Sequence, residues 1–334
     1  MILRTSVLRQ ASPWQIELAR AITDPVELLQ ALELSPEALP VASLTNRAFP
    51  LRVPRGYVTR MRKGDPADPL LRQVFPLAQE DLPAPGFSDD PVGDLAAMVT
   101  PGLLHKYHGR VLLVATGACA IHCRYCFRRH FPYLDANPLD QWHQALEYIS
   151  ADDSITEVIL SGGDPLVLSD RRLQELSERL EKIPHVQRLR IHTRLPIVLP
   201  ERVNNELLGW FRRMRLKPIV VVHANHANEI SEEVREACRN LAQAGVTLLN
   251  QSVLLRGVND RSEALAALSE ALFQARVLPY YLHLLDKVQG AAHFEVDEAK
   301  AQSLLQDLNA RLPGYLVPRL VKEEAGMPGK TLVF

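Results

Sequence analysis

The sequence predicts an α/β protein in which parallel strands curl into part of a barrel, behind a helical and irregular N-terminal extension. From about residue 104, short β-rich runs alternate with helical segments six times, which is typical of successive βα units in a parallel sheet. Each predicted strand leads into polar, glycine or cysteine residues at its carboxyl end. Such residues at every strand end favour a barrel over a doubly wound sheet. We therefore expect a partial (β/α)6 barrel of the TIM type.

The predicted units follow one another in order along the chain. The strands are Val111–Thr116, Glu157–Ser161, Arg188–His192, Pro218–His223, Thr247–Leu254 and Leu278–Leu284. The helices are Leu139–Ile149, Arg171–Ile183, Asn204–Met214, Ser231–Ala244, Ser262–Ala275 and Val296–Leu312. These elements fill residues 101–334, which we treat as one core domain.

Residues 1–100 form the expected extension, which should wrap this core. Prolines recur throughout the extension and interrupt any long helical pattern. One helix start is clear at Thr23-Asp24-Pro25, where Thr23 or Asp24 caps the helix and Pro25 occupies its first turn. The composition of the extension indicates no chemistry of its own.

Composition excludes several classes of function. The chain has 334 residues, 47% of them apolar, and a formal net charge of -1, so it can build a full core but has no overall field that attracts nucleic acid or anionic membrane. No run approaches 18 apolar residues, and residues 1–5 lack the pattern of a signal peptide. Three of the four cysteines lie within eight residues, which favours a metal site in a reducing compartment. We expect a cytoplasmic protein.

The cysteine loop, residues 117–130, follows the first predicted strand. Cys119, Cys123 and Cys126 form a CxxxCxxC run, so three thiolates can converge on one inorganic centre. A structural zinc and a conventional cubane cluster each need four protein ligands. Three ligands therefore favour an iron–sulfur cluster with one open iron that can bind a substrate. The alternative is a zinc site completed by His122 or His130.

Two further motifs give weaker signals. The turn Ser161-Gly162-Gly163-Asp164 would let a ligand approach the backbone closely, because glycine has no Cβ, although an ordinary turn would use the same residues. Near the C-terminus, Gly329-Lys330-Thr331 looks like part of a phosphate-binding loop, but Glu324 occupies the position of its first glycine. Lys330 is instead a candidate amine for capturing an aldehyde, or else a solvated lysine.

Together, these motifs resemble the lysine 2,3-aminomutases, a family of radical S-adenosylmethionine (SAM) enzymes. The resemblance covers roughly residues 100–334. Its motifs are HKYHGR at residues 105–110, CxxxCxxCFRRHF from Cys119, SGGDPL from Ser161, NQSVLLRGVND from Asn250, Tyr280-Tyr281 through Asp286, and the terminal Lys330. The segments PGFSDDP, PGLLHKYH, HFPY and DKVQGAAHF are more similar still to the EpmB branch of the family, which makes β-lysine for attachment to elongation factor P (EF-P), and they extend the likeness back to about Arg52.

The resemblance implies three cofactors and a role for each site residue. A 4Fe–4S cluster would be ligated by Cys119, Cys123 and Cys126. SAM would lie against Ser161, Gly162, Gly163, Asp164, His223 and Gln251. Pyridoxal phosphate (PLP) would be held as a Schiff base by Lys330 and surrounded by Lys106, Tyr107 and Arg110. Free L-lysine would bind through Arg128 at its α-carboxylate and through Asp286 and Glu323 at its ε-ammonium group.

The activity implied by the resemblance is the isomerisation of L-α-lysine to β-lysine, in which a 5′-deoxyadenosyl radical abstracts hydrogen from C3 and the amino group migrates. The product would supply the modification of EF-P. The partners would be a flavodoxin or ferredoxin as electron donor, with a functional link to EF-P and its ligase. The alternatives are a metabolic mutase acting on free lysine or another amino acid, a radical SAM enzyme without PLP, and a zinc-stabilised binding module without catalysis.

Two positions depart from the pattern of the family. Glu323 stands where the free-lysine mutases have an aspartate, seven residues before the PLP lysine. Arg261 stands where the clostridial mutases have a cysteine that takes part in zinc-bridged assembly. We therefore expect a monomer or a weak dimer. The remaining cysteine, Cys238, lies on a helical pattern and is expected to be a packed apolar residue.

Overall fold

The computed structural model describes residues 11–43, 45–133 and 138–334, so residues 1–5, on which the signal-peptide prediction rests, lie outside the described residues. The described chain forms one sheet of ten strands, and each strand pairs with its neighbours in the sequence. Pairing is parallel from the third strand to the ninth and antiparallel at both edges. The strands are β1 Met98–Thr100, β2 Leu103–Tyr107, β3 Arg110–Thr116, β4 Glu157–Gly162, β5 Arg188–Thr193, β6 Lys217–Val222, β7 Thr247–Val253, β8 Leu278–His283, β9 Arg319–Lys322 and β10 Thr331–Leu332.

The six predicted strands are present as β3 to β8, with bounds that differ from the prediction by no more than one residue. Strand β5 shows why the prediction works. Leu189 and Ile191 are fully buried, whereas Arg190 and His192 alternate with them and line an internal cavity. Residues of β3, β4, β5, β7 and β8, together with His223 directly after β6, line this same cavity, so the expected partial barrel is confirmed.

The sheet extends further than the sequence predicted. Strand β9 adds a seventh parallel strand, and β1, β2 and β10 add antiparallel strands at the edges. Two-residue turns at Pro101-Gly102 and His108-Gly109 join β1, β2 and β3. Gly102 and Gly109 have φ of +77° and +73°, a region that glycine adopts without strain. Such glycine-containing pairs between short apolar runs are the sequence signal for hairpins.

Helices occupy every connection between parallel strands, as the βα pattern predicted. Asp24 caps the second helix through its carboxylate, which accepts from the backbone N–H of Val26 at 3.0 Å. In the described ranges, no helix combines the length and the hydropathy needed to cross a bilayer. The helices are α1 Pro13–Ala19, α2 Pro25–Ala31, α3 Thr45–Ala48, α4 Arg55–Val58, α5 Pro69–Arg72, α6 Pro138–Ala151, α7 Asp170–Glu181, α8 Leu195–Val198, α9 Asn205–Arg213, α10 Glu232–Gln243, α11 Ser262–Gln274 and α12 Glu298–Arg311.

Helix α10 illustrates how the outer layer packs on the sheet. Val234, Cys238 and Leu241 are fully buried and lie four and three residues apart, so they share one face of the helix. Cys238 is therefore a packed apolar side chain, as predicted, and its thiol is free.

The N-terminal extension packs against the back of the cysteine loop. Glu80 is 2% exposed, and its carboxylate accepts from Arg124 Nη2 at 2.6 Å and from Arg129 Nη2 at 2.7 Å. The backbone N–H of Arg124 also donates to the carbonyl of Gln73 at 2.9 Å. Buried charges are stable only when they are paired, so these contacts fix the conformation of the loop.

Replacing Glu80 with glutamine should lower the free energy of unfolding by about 3–5 kcal/mol, because two buried guanidinium groups would lose their counter-charge. Urea denaturation of the apo-protein measures this. The control is Glu33→Gln, which removes an ion pair with Lys63 in which the two side chains are 67% and 63% exposed; it should change the free energy by about 1 kcal/mol or less. Equal losses in the two variants would contradict the role given to Glu80.

Candidate active site

A cavity of about 550 Å³ opens among the carboxyl ends of β3 to β8. Its volume lies in the range of sites that enclose small-molecule ligands. All the residues that the sequence singles out for the cluster, SAM, PLP and lysine line this cavity. They are Lys106, Tyr107, Arg110, Cys119, Cys123, Cys126, Arg128, Ser161, Gly162, Gly163, Asp164, His223, Gln251, Asp286, Glu323 and Lys330.

The cysteine loop is held against the glycine turn that follows β4. The backbone N–H of Gly163 donates to Thr116 O at 2.7 Å, and that of Asp164 donates to Ala118 O at 2.8 Å. A Cβ atom at Gly163 would lie 2.3 Å from Ala118 O, a distance that no side chain tolerates. Glycine is therefore required here by the close approach of the cysteine loop, a reason that the sequence did not reveal.

Asp164 joins the same turn to the end of β5. One carboxylate oxygen accepts from Thr193 Oγ1 at 2.6 Å and from the backbone N–H of Leu166 at 3.0 Å. The other accepts from the backbone N–H groups of Arg194 at 2.7 Å and Leu195 at 3.2 Å. Burial raises the pKa of Asp164, although these donors oppose the shift. With four protein donors around it, the carboxyl group holds two strand ends together.

Lys330 lies between β9 and β10 and contacts a carboxylate. Its Nζ is 2.6 Å from Glu323 Oε2 and 5.8 Å from the centre of the Tyr281 ring. Glu323 Oε1 also accepts from Lys106 Nζ at 3.3 Å. Burial alone would raise the pKa of Glu323, but the two ammonium groups, with a hydrogen bond from Tyr107, lower it to about 2. Glu323 is therefore ionised and paired with two cations.

Asp286, the other carboxyl predicted to bind lysine, shows the opposite shift. Burial raises the pKa of Asp286 to about 7, with Lys330 opposing the rise and the carboxylates of Glu323 and Asp94 adding to it. Near neutral pH this carboxyl group is thus close to half protonated. A cation placed beside it would favour the ionised form.

Arg128 is anchored by a residue that sequence reasoning missed. Its Nε donates to Asp94 Oδ2 at 2.6 Å, and its Nη1 donates to Ser161 Oγ at 3.0 Å. The other oxygen of Asp94 lies 2.6 Å from Lys106 Nζ, and Asp94 is 2% exposed. Asp94 precedes β1, in the extension to which we assigned no chemistry, and only the nearby PGFSDDP motif pointed to this segment.

Three histidines, His192, His223 and His283, line the cavity at the ends of β5, β6 and β8. Burial lowers the pKa of all three, that of His223 to about 4, so each ring is neutral at pH 7. Within the described part of the chain, Nε2 of His192 and Nε2 of His283 have no hydrogen-bond partner. Unpartnered polar atoms in a cavity indicate places where a ligand can bind. The sequence placed His192 and His223 at strand ends and assigned a ligand-binding role to His223 alone.

Several known proteins are similar in sequence to this chain. Residues 113–268 match the family model described as the Radical SAM superfamily. The L-lysine 2,3-aminomutase of Escherichia coli (strain K12) is 52% identical over 95% of this chain and 93% of its own length. The chain belongs to the L-lysine 2,3-aminomutase family. Proteins with the same name from Haemophilus influenzae and Clostridium subterminale are 48% and 36% identical; the matches cover 98% and 96% of this chain, and 97% and 77% of those proteins.

As a member of the L-lysine 2,3-aminomutase family the protein is an isomerase, which removes the alternative of a binding module without catalysis. The family implies a 4Fe–4S cluster, SAM and PLP, and the cavity has suitable donors for each. Three free thiols suit a cluster with one open iron, Lys330 offers an amine, and the neutral imidazoles offer ring nitrogens. Among residues 11–43, 45–133 and 138–334, no three His, Cys, Asp or Glu side chains are placed to hold a single metal ion.

The raised pKa of Asp286 predicts a pH-dependent stability of the apo-protein. Folding raises this pKa from 3.8 to about 7, so the group contributes stability at low pH that is lost as the pH rises through about 7. As the pH rises from about 5 to about 8, the free energy of unfolding of Asp286→Asn should therefore increase relative to that of the wild type, as measured by urea denaturation.

Asp260→Asn is the control for this measurement. Burial would raise the pKa of Asp260, but a hydrogen bond from Lys300 lowers it overall, so Asp260 titrates below this pH range. Its difference from wild type should stay constant with pH. A constant difference for Asp286→Asn as well would show that the pKa of Asp286 is ordinary.

Proposed function

We propose that this enzyme converts L-lysine to β-lysine with a 4Fe–4S cluster, SAM and PLP, and that the β-lysine serves the modification of EF-P. The observation that supports this most is the shared cavity: residues expected to bind three cofactors and lysine, spread from Lys106 to Lys330, line one space. Relatives that carry the name L-lysine 2,3-aminomutase support the same substrate. When bound, the cluster would supply the electron for radical formation from SAM, and PLP would supply a π-system for migration of the amino group.

At one end of the cavity, the cysteine loop and the glycine turn hold the cluster and SAM. Burial raises the pKa of the Cys119 thiol, and that of the Cys126 thiol to about 11, so these groups become thiolates only when metal is bound. Asp164 contributes by holding the glycine turn in place, because its carboxyl group already accepts hydrogen bonds from protein donors. The SAM contacts fall to Ser161, Gly162, Gly163, His223 and Gln251.

At the other end, Lys330 is the amine that binds PLP, and Lys106, Tyr107 and Arg110 surround it. Glu323 orients Lys330 through the 2.6 Å contact. The Arg110 guanidinium lies 4.7 Å from the centre of the Tyr107 ring, which keeps this aromatic wall in place. These contacts fix the amine before any ligand arrives.

The ε-ammonium group of lysine meets two carboxyl groups, of which Glu323 already holds cations. Glu323 pairs with Lys330 and Lys106, so replacing one ammonium with another preserves the pairing and avoids a buried, unpaired carboxylate. Asp286 provides the second carboxyl group, which a neighbouring cation ionises. An uncharged side chain would offer neither contact.

Arg128 binds the α-carboxylate of lysine in this proposal. A guanidinium has five N–H donors, and Asp94 and Ser161 occupy two of them, so three remain for a carboxylate. Asp94 also holds Lys106. Asp94 therefore connects Arg128, at the α-carboxylate of the substrate, to Lys106 near its ε-ammonium group, and sets the distance between these two side chains.

The cellular setting forms the rest of the proposal. A flavodoxin or ferredoxin would reduce the cluster, and EF-P with its ligase would receive the β-lysine. The cytoplasm suits the four free cysteines. A monomeric or weakly dimeric state remains our prediction from Arg261.

An anaerobic assay with dithionite, SAM and PLP tests the proposal. L-Lysine should yield β-lysine, detected by derivatisation and mass spectrometry, whereas norleucine should be disfavoured by roughly 10⁴-fold because its uncharged side chain would leave the buried Asp286 without a cation. Asp286→Asn should lose most turnover, and Asp260→Asn, at a distant ion pair with Lys300, should keep it. Equal turnover of norleucine and lysine would show that lysine is not the substrate.

The cluster assignment predicts that Cys119→Ala, Cys123→Ala and Cys126→Ala each lose the cluster, because the open-iron site needs all three thiolates. Iron analysis and absorbance near about 400 nm after anaerobic reconstitution measure this. Cys238→Ala is the matched control, since Cys238 is buried in α10, and it should retain about four irons per chain. Full iron loading in Cys126→Ala would contradict the assignment.

The PLP assignment predicts that borohydride fixes the pyridoxyl group on Lys330, as peptide mapping would show. Lys330→Ala should lose this label and keep its iron, because Lys330 lies outside the cysteine loop. Lys322→Ala, at an exposed pair with Glu298, should keep both. A label on Lys322 or Lys287 would place PLP elsewhere.

A further inference from the structure

An arginine that neither the motifs nor the family resemblance assigned points at one cluster ligand. Arg194 follows β5 and is 6% exposed, and its Nη1 donates to Cys123 Sγ at 2.8 Å. Cys126 instead accepts from the backbone N–H of Arg128. The sulfur of Cys123 thus accepts a hydrogen bond from a charged donor, and that of Cys126 accepts one from a neutral donor.

A buried network holds the guanidinium of Arg194 in place. Its Nη2 donates to Glu229 Oε2 at 2.7 Å, to Gln73 Oε1 at 2.7 Å and to Tyr57 Oη at 3.2 Å. Its own backbone N–H donates to Asp164. The extension, the glycine turn and the end of β6 all contribute, so Arg194 has little freedom to leave Cys123.

Glu229 is the counter-charge in this network. It is fully buried, and its Oε1 accepts from the backbone N–H groups of Asn225 at 2.7 Å and His226 at 3.0 Å. The carboxylate therefore neutralises part of the Arg194 charge from a fixed position. An ion pair between Arg194 and Glu229 that served folding alone would not require the hydrogen bond from Arg194 Nη1 to the sulfur of Cys123.

We propose that Arg194 is a positioning residue that raises the reduction potential of the cluster through its hydrogen bond to Cys123, and that Glu229 limits the rise. Hydrogen bonds to cluster sulfurs and nearby charge tune such potentials. The reduced cluster carries one more negative charge than the oxidised cluster, so a fixed cation beside a ligand stabilises the reduced form more. This inference rests on the cluster assignment proposed above.

The two residues therefore have opposite predicted effects. Arg194→Gln removes the cation and should lower the reduction potential. Glu229→Gln removes the counter-charge, leaves the guanidinium on Cys123, and should raise it. Arg194→Lys keeps the charge without the planar fork and should fall between wild type and Arg194→Gln. A purely structural role would not move the potential in opposite directions.

The experiment is an anaerobic redox titration of each reconstituted holoenzyme without SAM, followed by electron paramagnetic resonance of the reduced cluster. At the midpoint of the wild type, Arg194→Gln should show about a tenfold lower ratio of reduced to oxidised cluster, equivalent to about 59 mV for one electron. Arg202→Gln is the matched control, because Arg202 is also buried but pairs with Asp170 and contacts no cysteine within the described residues. Its midpoint should equal that of the wild type.

Unchanged midpoints, or shifts of the same sign in Arg194→Gln and Glu229→Gln, would overturn the inference. If Arg194→Gln does not hold a cluster, Glu229→Gln is compared with the double variant of Arg194→Gln and Glu229→Gln, which removes both buried charges. The double variant should have a lower reduction potential than Glu229→Gln. Equal potentials in the two variants would overturn the inference. A wild-type protein without about four irons per chain would instead disprove the cluster assignment.

Discussion

Buried charge pairs behind the cysteine loop are the interactions on which the site depends. A carboxylate or guanidinium taken out of water is stable only with its partner. Glu80 therefore requires Arg124 and Arg129, and Glu229 requires Arg194. Because the partners come from the extension, the loop and two strand ends, docking of the extension and shaping of the loop are one cooperative event. The result is a loop whose sulfurs keep a fixed spacing.

Charge balance organises a second group of cavity residues in a related way. Asp94 and Glu323 are surrounded by Lys106, Arg128 and Lys330, so the protein supplies the cations that its carboxylates need. A cationic ligand then competes with side chains of the same charge. In the proposed function, selectivity for a charged side chain rests on Asp286, whose pKa is raised to about 7 by burial, and on the number and placement of the contacts.

The sequence predicted the βα core and the cavity residues well because both follow local rules. Alternating burial sets the strands, and parallel strands bring their carboxyl ends together. Strand β9 was missed because it has four residues between Pro318 and an irregular segment. Asp94 was missed, and Arg194 was noted only as part of a polar strand end, because their roles depend on neighbours distant in the sequence: Asp94 contacts Arg128, and Arg194 contacts Cys123. No local pattern marks such pairs.

The two edges of the open sheet bear on solubility. An exposed edge strand presents unpaired N–H and C=O groups on which another chain can assemble, and long flat edges promote aggregation. Here the edge strands β1 and β10 have three and two residues, and each reverses direction relative to its neighbour. The antiparallel strands β1 and β10 thus form edges that are too short to template pairing with another chain. The barrel can therefore remain open without promoting aggregation.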